Sequence, residues 1–548
     1  MKAASARPTA GGSADTAGRR GARAWLTPVN IGIAVAALVA LGLRAYQLAT
    51  PGYLLGVTEY DDGSYFGSAI HLTMGILPYR DFVFIQPPGI TLLMTPVALL
   101  AKVIGTDWGM AIGRILTTVA SAAGVVLAGL LVRHRGLPAT IAACGLIAVY
   151  PDAVATARTV LVEPWLALFC LAGAVAVFDG DRVTGSRRRL VLGGLALGFA
   201  GAIESWAIVP AIVILALCLP GLRRMLTCLA GIAFAFLVSV LPFAALDPGG
   251  FYRDVVMVQL APRQGAAAFR VSVWYRLEEM FGLTNIRPAH SIVLLVAVVV
   301  LGFAVGAFAC GWLVTRRAPR PLDWFALLTT ILVVGAFFYP GQFYFHFVAF
   351  LVPFLALAVA LPLSRLVSAV RLPAERAGAG GSLRWAAAGL AAVLVAGLGV
   401  SEIDAVYHLA HSAAAIGTAA DRARMLAATD RIVPSGACVF TDRVSFTIAA
   451  NRFITHVPGC SPIDDAVASN VALSHGRNAS TGAGNVPAVA AIYREAFEHA
   501  QYVLLTTESS KRIAWSPALV TYFHDHFHRV ANFRPQGMLY MRNGMPVG

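Results

Sequence analysis

The stretch TEYDDGSYFG, residues 58–67, places three carboxylates, Glu59, Asp61 and Asp62, within four positions. Only 13% of the 548 residues are charged, so acids grouped this closely point to a need for negative charge or for a proton acceptor. Neighbouring carboxylates raise one another's pKa, which keeps a base poised. A plainer reading competes with this one. In a helix starting near Asp61, Tyr65, Ala69 and Leu72 share one side, and the acids sit at an N-terminus whose dipole favours negative charge. A second acid, Glu163, opens the apolar run in RTVLVEPWLALF. A carboxylate at the edge of lipid is costly and faces a polar cavity, where it either serves function or pairs with Arg158. Glu204, in GAIESWAIVP, reads as a solvated turn residue.

The elements that must hold these groups are membrane helices. The chain is 58% hydrophobic, its mean hydropathy is +0.72, and apolar runs near spanning length recur throughout. The net charge of +14 comes largely from short arginine clusters between apolar runs, which are orientation signals and exclude nucleic acid as a partner. Taking those clusters as cytoplasmic predicts about eleven transmembrane helices, near 28–48, 110–132, 137–153, 161–178, 190–203, 206–220, 226–246, 289–314, 322–339, 347–363 and 385–402. The segment 87–105 reads as a re-entrant or interfacial helix, because a span there would invert every later basic loop.

The resulting organisation is a disordered basic cytoplasmic tail at 1–25, a transmembrane domain at 26–403 with outer loops 50–109 and 247–288, and an extracytoplasmic α/β domain at 404–548. The first span reads as uncleaved, since no small-residue cleavage site follows it. In the C-terminal domain ACVFTD, FTIAA, YVLLTT and MLYMR read as strands, and VPAVAAIYREAFEHA and PALVTYFHDHF as amphipathic helices. Cys438 and Cys460 lie in this polar part and form one disulfide if it faces an oxidising compartment. The other five cysteines read as small hydrophobes.

Four ordered motifs carry a resemblance to a known family. DDGSYFGSA resembles the Asp-Glu-x-x-Tyr-x-x-x-Ala signature in the first outer loop of GT-C glycosyltransferases, the group that includes protein O-mannosyltransferases and the aminoarabinose transferases of lipid A. QPPGI at 86 is similar to the family's Lys-Pro-Pro-Leu, GTDWGMAIGRIL supplies Arg114, and RTVLVEPWLALF has the family's arginine followed five residues later by an acid. The resemblance covers residues 28–220, and the Ala/Arg/Gly-rich style points to an actinobacterial subgroup.

The resemblance implies a GT-C fold and transfer of a sugar, with inversion, from a polyprenyl phosphate to a hydroxyl of a cell-envelope glycan, a glycolipid or a protein, at the outer face of the plasma membrane. It implies Asp61 as the catalytic acid position, Asp62 as its neighbour and Glu163 as the second acid. A poor sugar nucleophile needs such a carboxylate to take its proton as the anomeric carbon gains oxocarbenium character. The lipid phosphate needs cationic or N–H partners. Gln86 stands where the family has lysine, so Arg80, Arg158 and His346, with Tyr344 beside it, are the substitutes. Arg80 has an alternative as the partner of Asp81. Glu59 and Trp274 are accessory or acceptor-side residues, although an interface belt also accounts for the outer aromatics. Mannose is the favoured sugar and arabinofuranose the alternative. No cofactor is required, and paired acids leave a divalent cation possible. A transporter or lipid flippase is the rival class, but it would place its charge at the midplane and keep short outer loops.

Overall fold

The computed structural model describes residues 27–260, 271–315, 318–339, 343–369, 379–475 and 482–545. The basic tail at 1–25 lies outside the described residues, as does the 261–270 part of the second outer loop. Helix α1 (Pro28–Leu48) opens with Thr27 accepting from the Asn30 N–H and with proline in the first turn, where no N–H is needed. It is followed by α2 (Asp61–Thr73), α3 (Gly89–Ile104), α4 (Thr106–Val132), α5 (Leu137–Val149), α6 (Pro151–Thr156), α7 (Val162–Val177), α8 (Arg187–Ile203), α9 (Ile208–Cys218) and α10 (Leu222–Leu246). After α11 (Val273–Met280) in the second outer loop come α12 (His290–Thr315), α13 (Pro321–Ala336), α14 (Phe347–Ala369) and α15 (Ala379–His411).

Every segment expected to be a span is helical, as is the segment expected to be re-entrant. Among the described residues, five helices are long and apolar enough to cross a membrane: Pro28–Leu48, Thr106–Arg135, Leu222–Leu246, Phe347–Arg365 and Ala388–His411. Along α10, Phe234, Leu237, Val238 and Leu241 are exposed. A continuous apolar face of that kind is stable against lipid rather than water. The chain is a polytopic helical membrane protein.

Position 404 falls inside α15, which runs on to His411 before α16 (Ala413–Ile432) begins. The remainder forms β1 (Val439–Thr441), α17 (Val444–Ala449), α18 (Ala466–Leu473), α19 (Pro487–His499), β2 (Tyr502–Leu505), α20 (Pro517–His526), β3 (Phe527–Asn532) and β4 (Met538–Arg542). The sheet order is β1-β2-β4-β3, with β1 parallel to β2 and the other pairs antiparallel. In β2 the alternation of side chains serves two cores. Val503 and Leu505 pack with Tyr493, Phe497 and Phe523, while Tyr502 and Leu504 pack with Met425 and Leu539 on the opposite face. Cys438 and Cys460 are joined in a disulfide beside β1.

The expected strand FTIAA is instead helix α17, and α18 and β3 arise where no element was expected. The β-branched residues of α17 form a helix because that shape seats Val444 and Ile448 in the core around α2, a tertiary override of local preference. This docking is close. A Cβ added at Gly63 would stand 2.5 Å from the backbone nitrogen of Ser445, and one at Gly67 would stand 2.9 Å from Asp464 Oδ1. The two glycines, one turn apart on α2, therefore let the C-terminal region rest directly on the helix. Gly63→Ala is expected to cost about 1–3 kcal/mol through overpacking and to lower the thermal transition of the purified protein. An unchanged transition would show that the contact is loose.

Candidate active site

Asp61 and Asp62 are consecutive residues in the first turn of α2 and meet opposite surroundings. Asp62 is fully buried, and its Oδ2 accepts from Arg114 Nη2 at 2.6 Å. Arg114, also fully buried, spends Nη1 on the carbonyls of Tyr53, Leu54 and Gly56 at 2.7–2.8 Å, so the chain entering α2 is wound around one guanidinium. Ser445 Oγ donates to Asp62 Oδ1 at 3.1 Å. Asp62 is thus a buried anchor with its oxygens occupied, and the pairing expected for Asp61 involves other groups.

Asp61 is about a third exposed and faces His346, with 3.6 Å between Oδ2 and Nε2. The other nitrogen of that imidazole, Nδ1, lies 2.7 Å from Oε1 of Glu163. Glu163 begins α7 and is buried, and its Oε2 has no hydrogen-bond partner. Residues at 61, 163 and 346 therefore form a carboxylate–imidazole–carboxylate line. Burial raises the Asp61 pKa to about 7; His346 opposes the rise, and Asp465, Glu59 and Glu163 add to it. Burial works against the His346 cation, but Glu163, Asp61 and Glu59 outweigh it and raise its pKa to about 9. Near neutral pH the imidazole is accordingly a cation between acids.

Glu204 belongs to the same neighbourhood, which corrects its reading as a solvated turn residue. It is only 4% exposed, and burial raises its pKa to about 7 even though Oε1 accepts from the Ser205 N–H and hydroxyl. Tyr65 is buried on the same side of α2, and its hydroxyl receives a hydrogen bond from Gln86 Nε2 at 3.3 Å. Gln86 Oε1 is buried without a partner.

Cations gather on the other flank, beside Glu59. Arg158 lies 3.9 Å from Glu59 Oε1, covers the Tyr53 ring at 4.8 Å and keeps a buried Nε with no partner. Arg443, which precedes α17, also keeps a buried Nε with no partner. Burial lowers its pKa, against the pull of Asp62 and Glu59. Arg512 stacks over Tyr60 at 5.0 Å, and Tyr60 in turn donates to Asp465 Oδ1 at 2.8 Å. These C-terminal groups lie hundreds of positions from α2, and no spacing in the sequence announces them.

Three other expected residues have close partners of their own. Arg80 is exposed and held in a two-pronged pair with Asp81 at 2.7–2.9 Å, as its alternative reading had it. Trp274 stacks on His290, with ring centroids 4.6 Å apart. Tyr344 is stacked with His346 at 5.4 Å, which keeps it at the edge of the cluster. Among the described residues no group of three or more His, Cys, Asp or Glu could hold a metal ion.

No protein-family model and no curated protein matches this sequence. Solved structures do match. ArnT from Cupriavidus metallidurans in the apo state aligns with a TM-score of 0.58 at 15% identity, covering 95% of this chain and 98% of ArnT. The same protein bound to undecaprenyl phosphate gives 0.58 and 15% over 94% and 98%. The Archaeoglobus fulgidus oligosaccharyltransferase tethered to an acceptor peptide gives 0.51 at 12% identity, over 96% of this chain and 75% of that one. The chain shares the fold of these structures.

The contrasting surroundings of the two aspartates lead to opposite expectations. Asp62→Ala strands the buried Arg114 charge and is expected to cost about 3–5 kcal/mol, read as a large fall in the thermal transition. Asp61→Asn, at a partly exposed position, is expected to leave the transition within about 0.5 kcal/mol of the wild type. Equal effects of the two changes would contradict the division of labour.

Proposed function

We propose that the protein is an integral membrane glycosyltransferase that moves a sugar from a polyprenyl phosphate to an acceptor hydroxyl, with Asp61 as the general base. The observation that carries this reading is the carboxylate–imidazole–carboxylate line at 61, 346 and 163 flanked by Arg158 and Arg443. It joins a base of near-neutral pKa to an anion site in one place. The acceptor oxygen attacks the anomeric carbon from the face opposite the phosphate, the C–O bond to phosphate breaks, and the hydroxyl proton passes to Asp61. Configuration inverts, and polyprenyl phosphate leaves. His346, held as a cation by Glu163, keeps Asp61 ionised so that it can take the acceptor proton. Arg158 and Arg443 take the leaving phosphate, the task that a lysine at position 86 would otherwise perform. Gln86 and Tyr65 supply uncharged hydrogen bonds on the Asp61 side of the site, and Glu59 tempers the arginines when the donor is absent.

The fold shared with ArnT, which binds undecaprenyl phosphate in one of its structures, supports a lipid-linked donor. The disulfide supports an oxidising, extracytoplasmic setting for the C-terminal region. The N-terminus then lies in the cytoplasm of a plasma-membrane protein with about eleven spans. Mannose remains the favoured sugar and arabinofuranose the alternative.

Asp61→Asn is expected to lower transfer from a radiolabelled polyprenyl phosphate sugar by about 10²–10⁴-fold; turnover at the wild-type rate would remove the assignment. The base must be unprotonated, so the rate should rise with pH to a plateau, with a midpoint near the Asp61 value of about 7. Because the His346 cation lowers that value, His346→Gln should move the midpoint upward by about 1–3 units. A midpoint that stays in place would show that the histidine does not act on Asp61. Arg443→Ala should raise the donor KM by about tenfold with the acceptor KM unchanged, and an unaltered donor KM would exclude it from the phosphate site.

A further inference from the structure

At the end of β2 the C-terminal region opens into a cavity of ≈ 710 Å³, within the range of small-ligand sites, which the chemistry above does not use. Its floor is apolar and aromatic, made by Trp515, Phe523 and Met538. The Trp515 indole N–H is already donated to the Ser510 carbonyl at 3.1 Å, and the ring is wedged against Phe497 and Phe523 with centroids 5.7 and 5.6 Å away. The indole is therefore held in one orientation with its single polar group occupied, and what remains for a ligand is hydrocarbon. The rim is different in kind: Thr507, Glu508, Ser509, His524 and Arg534 are all exposed donors or acceptors. A fixed aromatic floor under such a rim suits a ring with one apolar face and many hydroxyls at its edge. A lipid tail would leave the rim groups unpaired, and a phosphate would meet the Glu508 carboxylate.

The cavity also has a physical connection to the acidic cluster. Thr506 lines it and gives both its N–H and its hydroxyl to Asp442, at 2.9 and 2.5 Å. Asp442 Oδ2 faces Arg512 Nη1 at 3.6 Å, and the Arg512 guanidinium covers Tyr60, the residue before Asp61. On the other flank, Gln536 follows the wall residue Pro535 and accepts from Arg422 at 3.3 Å.

We propose that this cavity is a carbohydrate-binding subsite that holds a distal part of the acceptor glycan while another part of the same glycan presents its hydroxyl to Asp61. The acceptor is then a glycan with at least two units rather than a bare lipid or peptide. Sugar binding stands on the cavity alone, whereas the word acceptor rests on the transferase reading.

The test uses the full-length protein in detergent micelles, probed by saturation-transfer NMR with a mannose trisaccharide and an arabinofuranose trisaccharide. At least one should bind the wild type and the Asp61→Asn variant equally. Trp515→Ala should weaken that binding about tenfold. Arg534→Ala, which changes only an exposed side chain, should weaken it about threefold, and both variants should raise the acceptor KM by the same factors with the donor KM unchanged. Absence of binding by both trisaccharides, or binding as tight in both variants as in the wild type, would overturn the proposal. Binding that depends on Trp515 in a protein with no transfer activity would keep the sugar site and sink only the transferase reading.

Discussion

The buried ion pair between Asp62 and Arg114 is the constraint on which the rest of the site depends. Arg114 ties together three backbone carbonyls of the chain entering α2 and the first-turn carboxylate of α2 itself. Successive helical residues are rotated by about 100°, so fixing Asp62 toward Arg114 turns Asp61 toward His346. A buried pair contributes little net stability, because desolvation offsets most of its attraction. Its effect here is geometric: it decides which of two adjacent aspartates faces the open part of the site. Ser445 and Gly63 complete the arrangement by letting the C-terminal region close against the same helical turn.

Electrostatic balance follows from this geometry. Four acids, Asp61, Glu59, Glu163 and Glu204, share a neighbourhood with three cations, His346, Arg158 and Arg443. Burial alone would leave Asp61 protonated well into the neutral range, and the adjacent imidazolium is what keeps its value near 7. The two arginines are incompletely paired, each with an unpartnered buried Nε. In the proposed reaction an anionic phosphate completes them, and the charge that Glu59 offsets in the empty site becomes available to the leaving group. The C-terminal region therefore adjoins the candidate site, through Arg443, Ser445, Asp465 and Arg512.

Much of the fold was legible because long apolar runs permit only helices, and the expected segments are helical with ends shifted by a few residues. The acidic stretch stood out by its rarity in so apolar a chain. The division between Asp61 and Asp62 was not, since adjacent identical residues differ only in what the fold brings to each. Glu163 and His346 were each conspicuous, yet the 2.7 Å bond between them joins positions 183 apart, a separation no local pattern encodes. Glu204 was misread because a turn between apolar runs looks solvated, whereas here it is roofed over. FTIAA was misread as a strand because its packing on α2, rather than its composition, sets its shape. Arg80 and Trp274 fit a cationic and an aromatic role by type, and in the structure Asp81 and His290 are their respective neighbours.

The chemical event at the centre of this account is cleavage of the bond between a sugar and a lipid phosphate. Phosphorus NMR follows it without knowledge of the product, because a sugar phosphodiester and the released polyprenyl monoester resonate separately. Membranes containing the protein and their endogenous acceptor glycans, supplied with polyprenyl phosphate mannose or its arabinofuranose counterpart, are expected to convert the diester signal to monoester at a rate proportional to the amount of the protein. Persistence of both diesters at any protein level would contradict the account.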